Sequence, residues 1–295
     1  MRVTEIVTDE SLRELRKHGT SDFPFEYYYD DIHSYNKHYI EYHWHNEFEW
    51  VVVESGTVEC LIDSKRIELC RGDGIFINSK VIHRFESEHG ALMPNILFAP
   101  AFIAPTTSAI YNEYVAPILN SGCTYFVLRQ RNKDENIILN ALHKIFRLAV
   151  ERVIQKMDIQ IAVCSLWRNF VKITNGYWNS NHKQQDILLQ SRIQTMIQFI
   201  AENYTEKLTL TDIALSANIS KSETLRCFHQ AVQTTPVKYV IGYRLNRAKE
   251  RLIATNDTVT QIASSVGIDS ISYFVRIFTK EFGITPRAFR LQYKR

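Results

Sequence analysis

Arg226 and Arg276 stand in two stretches of matching residue types, separated by 50 positions. A guanidinium presents five N–H donors in a rigid fork and can bond the O6 and N7 of one guanine together, so an Arg exposed on a helix is a candidate reader of base edges. Phosphate oxygens accept the same donors, and half or more of protein–DNA hydrogen bonds go to the backbone, so both roles are open for each Arg. Around them, Ser222 and Ser272 can donate to a base or a phosphate. Leu225 and Val275 offer apolar surface to a thymine methyl, with Ile271 beside them. Lys221, Ser270, Thr285 and Arg287 sit near expected helix N-termini, which favour phosphate.

These side chains are carried by one helical unit written twice across residues 208–290. Asp212-Ile213-Ala214, Ala217-Asn218-Ile219-Ser220 and Leu225-Arg226-Cys227-Phe228 correspond to Gln261-Ile262-Ala263, Val266-Gly267-Ile268-Asp269 and Val275-Arg276-Ile277-Phe278. The offset is 49 at Ile213/Ile262 and Ile219/Ile268 and 50 at Phe228/Phe278 and Pro236/Pro286, so the second turn holds one extra residue. A repeat at this period marks two copies of one supersecondary element. Each copy has the grammar of a helix-turn-helix: a short helix, a tight turn, then a capped helix with apolar residues on one side and an Arg on the other. Ser220 and Asp269 are the expected N-caps, and Asn218 and Gly267 suit a left-handed turn position. Thr224, Cys227, Phe228 and Phe274, Ile277, Phe278 are expected to face inward. Ser222, Leu225, Arg226, Ser272, Val275 and Arg276 are expected to face out.

With Tyr273-Phe274-Val275-Arg276-Ile277-Phe278 and Phe282-Gly283-Ile284-Thr285-Pro286, residues 187–295 resemble the DNA-binding domain of the AraC/XylS family of bacterial transcription regulators. The resemblance implies two helix-turn-helix units joined by a linking helix and entering successive major grooves of double-stranded DNA. Thr224 and Cys227 depart from the larger apolar residues usual in the family. The apolar stripe Val237, Val240, Ile241, Leu245, Ala248 and Leu252, with Pro236 in the first turn, marks residues 236–254 as the linking helix. Arg244, Arg247 and Lys249 lie on it. Some are expected to face phosphate, and Arg244 matches a family Arg that can be structural.

The 295 residues are enough for two cores, and 45% hydrophobic with 23% charged residues is the composition of a globular chain. No apolar run is long enough to span a bilayer and the N-terminus lacks a signal peptide's apolar core, so the expected location is the cytoplasm, with no membrane partner. The five cysteines (Cys60, Cys70, Cys123, Cys164, Cys227) are odd in number and form no CxxC, which argues against a disulfide framework or a zinc knuckle. Charge is uneven: from Asp186 onward there are 15 Lys/Arg against 9 Asp/Glu, and before it 20 against 23. A basic C-terminal part beside a mildly acidic N-terminal part fits a DNA-binding domain joined to a sensing domain.

Residues 11–17 suggest a weak helix. The aromatic cluster Phe23-Pro24-Phe25-Glu26-Tyr27-Tyr28-Tyr29 follows, as core packing or as an arm across a sheet or pocket. From residue 39 to about 99, short β-branched and alternating runs are broken by a turn at Ser64-Lys65 and by Gly72-Asp73-Gly74, the pattern of a small β-barrel. With His43-Trp44-His45, Glu49, Gly56 and His83, this stretch resembles the cupin module that such regulators use as a sensor. In metal-binding cupins two histidines one residue apart, a Glu four residues later and a distant His supply the ligands, because alternate strand residues share a face. His43, His45, Glu49 and His83 match that set, although the Pro and Asn often found in the second half of the motif are absent. Regulators of this family commonly keep the signature without a metal, as polar pocket lining. No cofactor is therefore expected. His43, Trp44, His45, Glu49, Asn78 and His83 are expected to bind a ligand, with a metal as the alternative use of four of them. Tyr42, Trp44, Phe48, Trp50, Phe76 and Phe85 put rings near the barrel, either as core or to stack on the C–H faces of a carbohydrate.

Residues 134–157 and 159–173 show helical apolar spacing, as a dimer interface or as a layer covering the sheet. The expected fold is α+β with two domains: a cupin-like barrel with accessory helices at 1–174, a linker at 175–186, and an all-α double helix-turn-helix domain at 187–295. The expected function is that of a ligand-responsive, sequence-specific DNA-binding transcription regulator, an activator by resemblance, that senses a small polar metabolite such as a sugar. It would work as a homodimer, with RNA polymerase as a further contact. The alternative is a metal-dependent cupin enzyme fused to a DNA-binding domain.

Overall fold

The computed structural model describes residues 6–9, 12–35, 38–62, 65–151, 156–174 and 183–293. The chain divides into two compact units, Met1–Ser191 and Arg192–Arg295. The fold is α+β, with a sheet-rich first unit and a helical second one. Among the described residues no helix is long and apolar enough to cross a membrane.

The first unit is an antiparallel barrel of nine strands: β1 (Phe25–Asp31), β2 (Tyr39–His43), β3 (Phe48–Val52), β4 (Ser55–Ile62), β5 (Lys65–Cys70), β6 (Gly74–Ile77), β7 (His83–Glu86), β8 (Ala91–Phe98) and β9 (Tyr125–Leu128). One half runs β1-β8-β3-β6-β9 and the other β5-β4-β7-β2. The halves join where Ser55 and Gly56 pair with Leu92 and Ala91. Gly56 is required there: its φ is +80°, and a Cβ would meet the carbonyl oxygen of Gly90 at 2.4 Å. Ile62 pairs with Lys65, while Ser64 of the expected turn lies outside the described residues.

Alternation along β3 sorts the core into two layers. Phe48 and Trp50 face a cluster shared with the helices that follow the barrel, whereas Val51 and Val53 face a second cluster inside it. After a short α1 (Ala116–Leu119), those helices are α2 (Lys133–Val150) and α3 (Lys156–Ile173), which pack on each other and cover the sheet. The first ends at Val150 rather than at 157, and Met157 belongs to the second. Phe48 stacks on Trp167 with centroids 4.7 Å apart, and Trp50 meets Phe170 edge-on at 4.7 Å. Phe48, Trp50 and Phe76 are thus core residues rather than rings for a ligand.

The weak helix at residues 11–17 is replaced by irregular chain over its described part, with bridges at Arg13 and Glu14. The backbone of Leu12 and Glu14 bonds to that of Trp44, because a partner strand elsewhere in the chain outweighs a short, uncapped helical pattern. The aromatic cluster becomes β1, paired along its length with β8.

The second unit holds most of α4 (Lys183–Asn203), then α5 (Leu210–Ser216), α6 (Lys221–Val232), α7 (Pro236–Ala254), α8 (Val259–Ser265), α9 (Ile271–Phe282) and α10 (Pro286–Tyr293). Helix α4 begins inside the segment read as linker, so residues 183–186 are helical. Lys183, Gln184 and Gln185 are good helix formers and suit a helix start. Residues 175–182 of that segment lie outside the described residues. The unit boundary falls within α4, after Ser191.

Candidate functional site

The two helix-turn-helix copies are capped alike. Thr209 and Asp212 form a capping box at the start of α5, and Thr258 and Gln261 form one at α8. The turns then pass through Asn218 at φ +53° and Gly267 at φ +77°. Ile219 and Ile268 each donate a backbone N–H back to the preceding helix, to Ala214 and Ala263. Ser220 caps α6 by accepting from the N–H of Glu223. In the second copy the cap is Ser270, which accepts from Tyr273. The expected cap Asp269 is therefore the extra residue of the second turn. It stands just outside the helix, because the hydroxyl that reaches the third helical N–H is one position later.

Thr224, Cys227, Phe228, Phe274 and Phe278 are fully buried as expected, and Ile277 is half-buried. The small Thr224 is satisfied by donating its hydroxyl to the carbonyl of Ser220 at 3.0 Å. Lys221, Ser222, Leu225, Arg226, Ser270, Ser272, Arg276 and Arg287 are exposed. Val275 and Ile271 differ from expectation: both are half-buried and pack against the second copy's core. Arg244 proves structural. Its Nε donates to the carbonyl of Tyr204 at 2.7 Å and a terminal nitrogen to that of Glu206 at 2.6 Å. Arg290 does the same for α7, donating to the carbonyls of Leu252 at 3.1 Å and Asp257 at 2.6 Å. Arg247 is held by the Tyr243 hydroxyl and Glu250.

The two outward arginines differ in setting. Arg276 lies over the ring of Tyr273 at 5.4 Å. Arg226 is gripped along one edge by Glu223, with Nε 2.8 Å from Oε2 and a terminal nitrogen 2.6 Å from Oε1, while its other terminal nitrogen donates to Gln230 at 2.8 Å.

In the first unit, alternation on the strand sends His43 and His45 inward, and β3 and β7 bring Glu49 and His83 to them. All four side chains are buried, and one potential ligand atom from each lies within 4.8 Å of the others. Each imidazole is fixed by its Nδ1, which lies 2.8 Å from the carbonyl of Glu41 for His43, 3.2 Å from that of Glu47 for His45, and 2.9 Å from that of Val81 for His83. A carbonyl only accepts, so each Nδ1 carries the proton and each Nε2 is left to face the cluster. The Nε2 atoms of His83 and His45 lie 2.9 and 3.3 Å from the Glu49 carboxylate. Burial, then the neighbouring His83, pushes His43 down to about 3, so its Nε2 offers a lone pair. Burial would raise Glu49, but His83 and His45 hold it well below the usual carboxylate range. Three imidazole nitrogens and a carboxylate, oriented from behind by backbone carbonyls, fit a divalent transition metal. His43, His45, Glu49 and His83 would hold it, and it would supply a Lewis-acid contact to an oxygen of a bound molecule.

Beside this cluster is a pocket whose lining includes His43, Glu49 and Phe85, with Glu14, Arg16, His18, Tyr28, Asp30 and Asn95. Of the expected ligand-binding residues, Trp44, His45, Asn78 and His83 are not in its lining; His45 and His83 reach it only through their contacts with Glu49. Trp44 points away from His43 and His45, with Arg13 over its ring at 5.8 Å. Asn78 spends its amide nitrogen on the carbonyls of Ile118 and Cys123 and its oxygen on the N–H of Ser79, tying down the chain before β9. The polar groups missed by sequence come from the arm and β1. Glu14 lies 3.3 Å from His18, which meets the Tyr28 hydroxyl at 3.0 Å, and Asp30 accepts from Tyr35 and Asn95 at 2.7 Å each. Burial pushes Asp30 up despite those two bonds. The period-two pairing of Tyr28 with Asp30 was the available signal.

A capped pair of helix-turn-helix units that follows, along the chain, a β-barrel with a polar interior is the build of a DNA-binding transcription regulator with a ligand-binding domain, and the chain belongs to the AraC family. Residues 31–149 match the AraC-like ligand binding domain and residues 213–292 the helix-turn-helix domain. An uncharacterised HTH-type transcriptional regulator of Bacillus subtilis, YdeC, is 31% identical over 96% of this chain and 97% of its own. The melibiose operon regulatory protein of Escherichia coli is 22% identical over 84% of this chain and 82% of its own. The lactose operon transcription activator of Staphylococcus xylosus is 32% identical over 36% and 38%.

Proposed function

We propose that this regulator is effector-responsive: a small polar metabolite, a carbohydrate in the first instance, enters the barrel beside His43 and Glu49 and changes how α6 and α9 meet DNA. The carrying observation is the polar set of buried Glu14, His18, Glu49 and Asn95 with half-buried Asp30, which a barrel kept only for packing would replace with apolar residues. Neutral hydroxyls suit it, because they both donate to carboxylates and accept from imidazole and amide N–H groups. Relatives named for the melibiose and lactose operons support a sugar. A ligand moves the equilibrium only by its difference in affinity for the two arrangements. The protein acts in the cytoplasm as an activator and as a homodimer. Ile137, Val150, Met157 and Ile161 on α2 and α3 are exposed and apolar, which supports a second copy there.

A second reading, favoured by the three Nδ1–carbonyl bonds, is that a divalent metal sits at His43, His45, Glu49 and His83 and helps to hold the effector. The test of function is capture of genomic fragments by the purified protein, with and without melibiose, lactose and other sugars, at two salt concentrations. A shared site of two elements about one helical turn apart, with occupancy altered by one sugar, is expected. Retention that ignores sequence and vanishes with salt, alongside sugar turnover, would favour the enzyme alternative.

A further inference from the structure

A carboxylate on the outer face of a DNA-reading helix needs a reason, because phosphates repel it. Glu223 occupies the first turn of α6, the part of a recognition helix whose residues contact base edges. It is engaged twice: its Oε1 accepts from Arg192 of α4 at 2.7 Å and from Arg226 at 2.6 Å, and its Oε2 accepts from Arg226 Nε at 2.8 Å. Stability does not explain its pair with Arg226, since an ion pair one turn apart with an exposed partner contributes little. Orientation does. Of the five N–H groups of Arg226, two go to Glu223 and one to Gln230, which leaves one on each terminal nitrogen. Those two can bond the O6 and N7 of one guanine together, and the plane of the fork is already set. A phosphate contact would need no such fixed plane. The second copy has Tyr273 at the matching position, and there Arg276 lies over the aromatic ring instead.

Resting on the assignment of α6 as a groove-reading helix, we propose that Glu223 is a specificity-determining positioning residue, which holds Arg226 for guanine while Arg192 steadies the carboxylate. Without Glu223, Arg226 keeps its charge and reach but is free to turn to phosphate.

The experiment is selection from a pool of synthetic duplexes with a randomised core, at fixed salt, using the full-length protein and its Glu223→Gln, Arg226→Ala and double variants. Melting followed by circular dichroism checks that each is folded. Arg226→Ala marks the base pair at which guanine preference disappears. Glu223→Gln is expected to weaken that preference roughly three- to tenfold at the same pair and to leave other pairs unchanged. The double variant should be no worse there than Arg226→Ala alone. Arg192→Ala should act in the same direction, more weakly. The proposal is overturned if Glu223→Gln keeps the preference that Arg226→Ala loses, or if it weakens every position equally. If Arg226→Ala itself lowers binding to all sequences alike, Arg226 holds phosphate and its assignment as a base reader fails with the proposal.

Discussion

The histidine cluster makes a measurable prediction about metal. If His43, His45, Glu49 and His83 bind a divalent ion, an ion that binds only the folded state adds about 2.7 kcal/mol of stability at one hundred times its Kd. For a unit the size of Met1–Ser191, each kcal/mol moves Tm by roughly 2 to 4 °C, so the expected rise is roughly 5 to 11 °C. The observable is built in: all four tryptophans precede residue 192, with Trp50 and Trp167 buried, so tryptophan fluorescence follows the first unit rather than the second. Metal-stripped protein would be melted with and without zinc, cobalt(II), nickel(II) or manganese(II). Cobalt absorption would report nitrogen and oxygen ligands, and dialysis would give stoichiometry. Glu49→Gln and His83→Gln should lose most of the metal-induced rise. An equal rise in those variants would place the metal elsewhere. No rise and no bound metal with any ion would leave the cluster as polar lining alone.

Other expectations concern the second unit. Arg276→Ala should cost about 1 to 3 kcal/mol of binding at one base position, measured against single-base-pair operator variants; a uniform loss with a shallower salt dependence would make it a phosphate contact. Gly267→Ala should destabilise the unit by at least about 2 kcal/mol, because φ is positive and the new Cβ would lie 2.7 Å from the carbonyl oxygens of Tyr204 and Thr205. Asn218→Gly, at the matching turn, should stay within about 0.5 kcal/mol, and hydrogen exchange in α5 and α8 compares the two. Arg244→Ala strips two backbone carbonyls of a charged donor and should cost about 2 to 4 kcal/mol in denaturant unfolding followed by circular dichroism. Little change would mean that water replaces the guanidinium there.

The helix-turn-helix pair was legible because its grammar is local: caps, turn residues and apolar spacing all act within a few positions and occur twice. The misassigned cap, Asp269 for Ser270, came from two adjacent residues that can both cap, with the inserted residue between Ile268 and the cap; Ile271 and Val275, read as groove-facing, instead lean half-buried onto the second core. In the barrel, residue types at His43, His45, Glu49 and His83 were readable because strand alternation is local too. Trp44 and Asn78 were not, since alternation turns Trp44 away and carbonyls distant in sequence claim Asn78. Glu14 and Asp30 reach the pocket only because the arm pairs with Trp44 and β1 with β8. Such pairings across dozens of residues leave no short-range mark, and a weak helical pattern in the arm pointed the wrong way.

Helix α7 belongs to both copies: its Arg244 clasps the chain after α4, and its own end is clasped by Arg290. Its 19 residues make a rod of about 28 Å, comparable with the roughly 34 Å of one turn of DNA. One residue added to this rod would turn everything beyond it by about 100° and advance it about 1.5 Å, sending the second reader to another side of the duplex. Spacing and spelling are thus set in separate places. Changes in α6 and α9 can give the protein a new vocabulary, while α7 holds the interval between its two words constant.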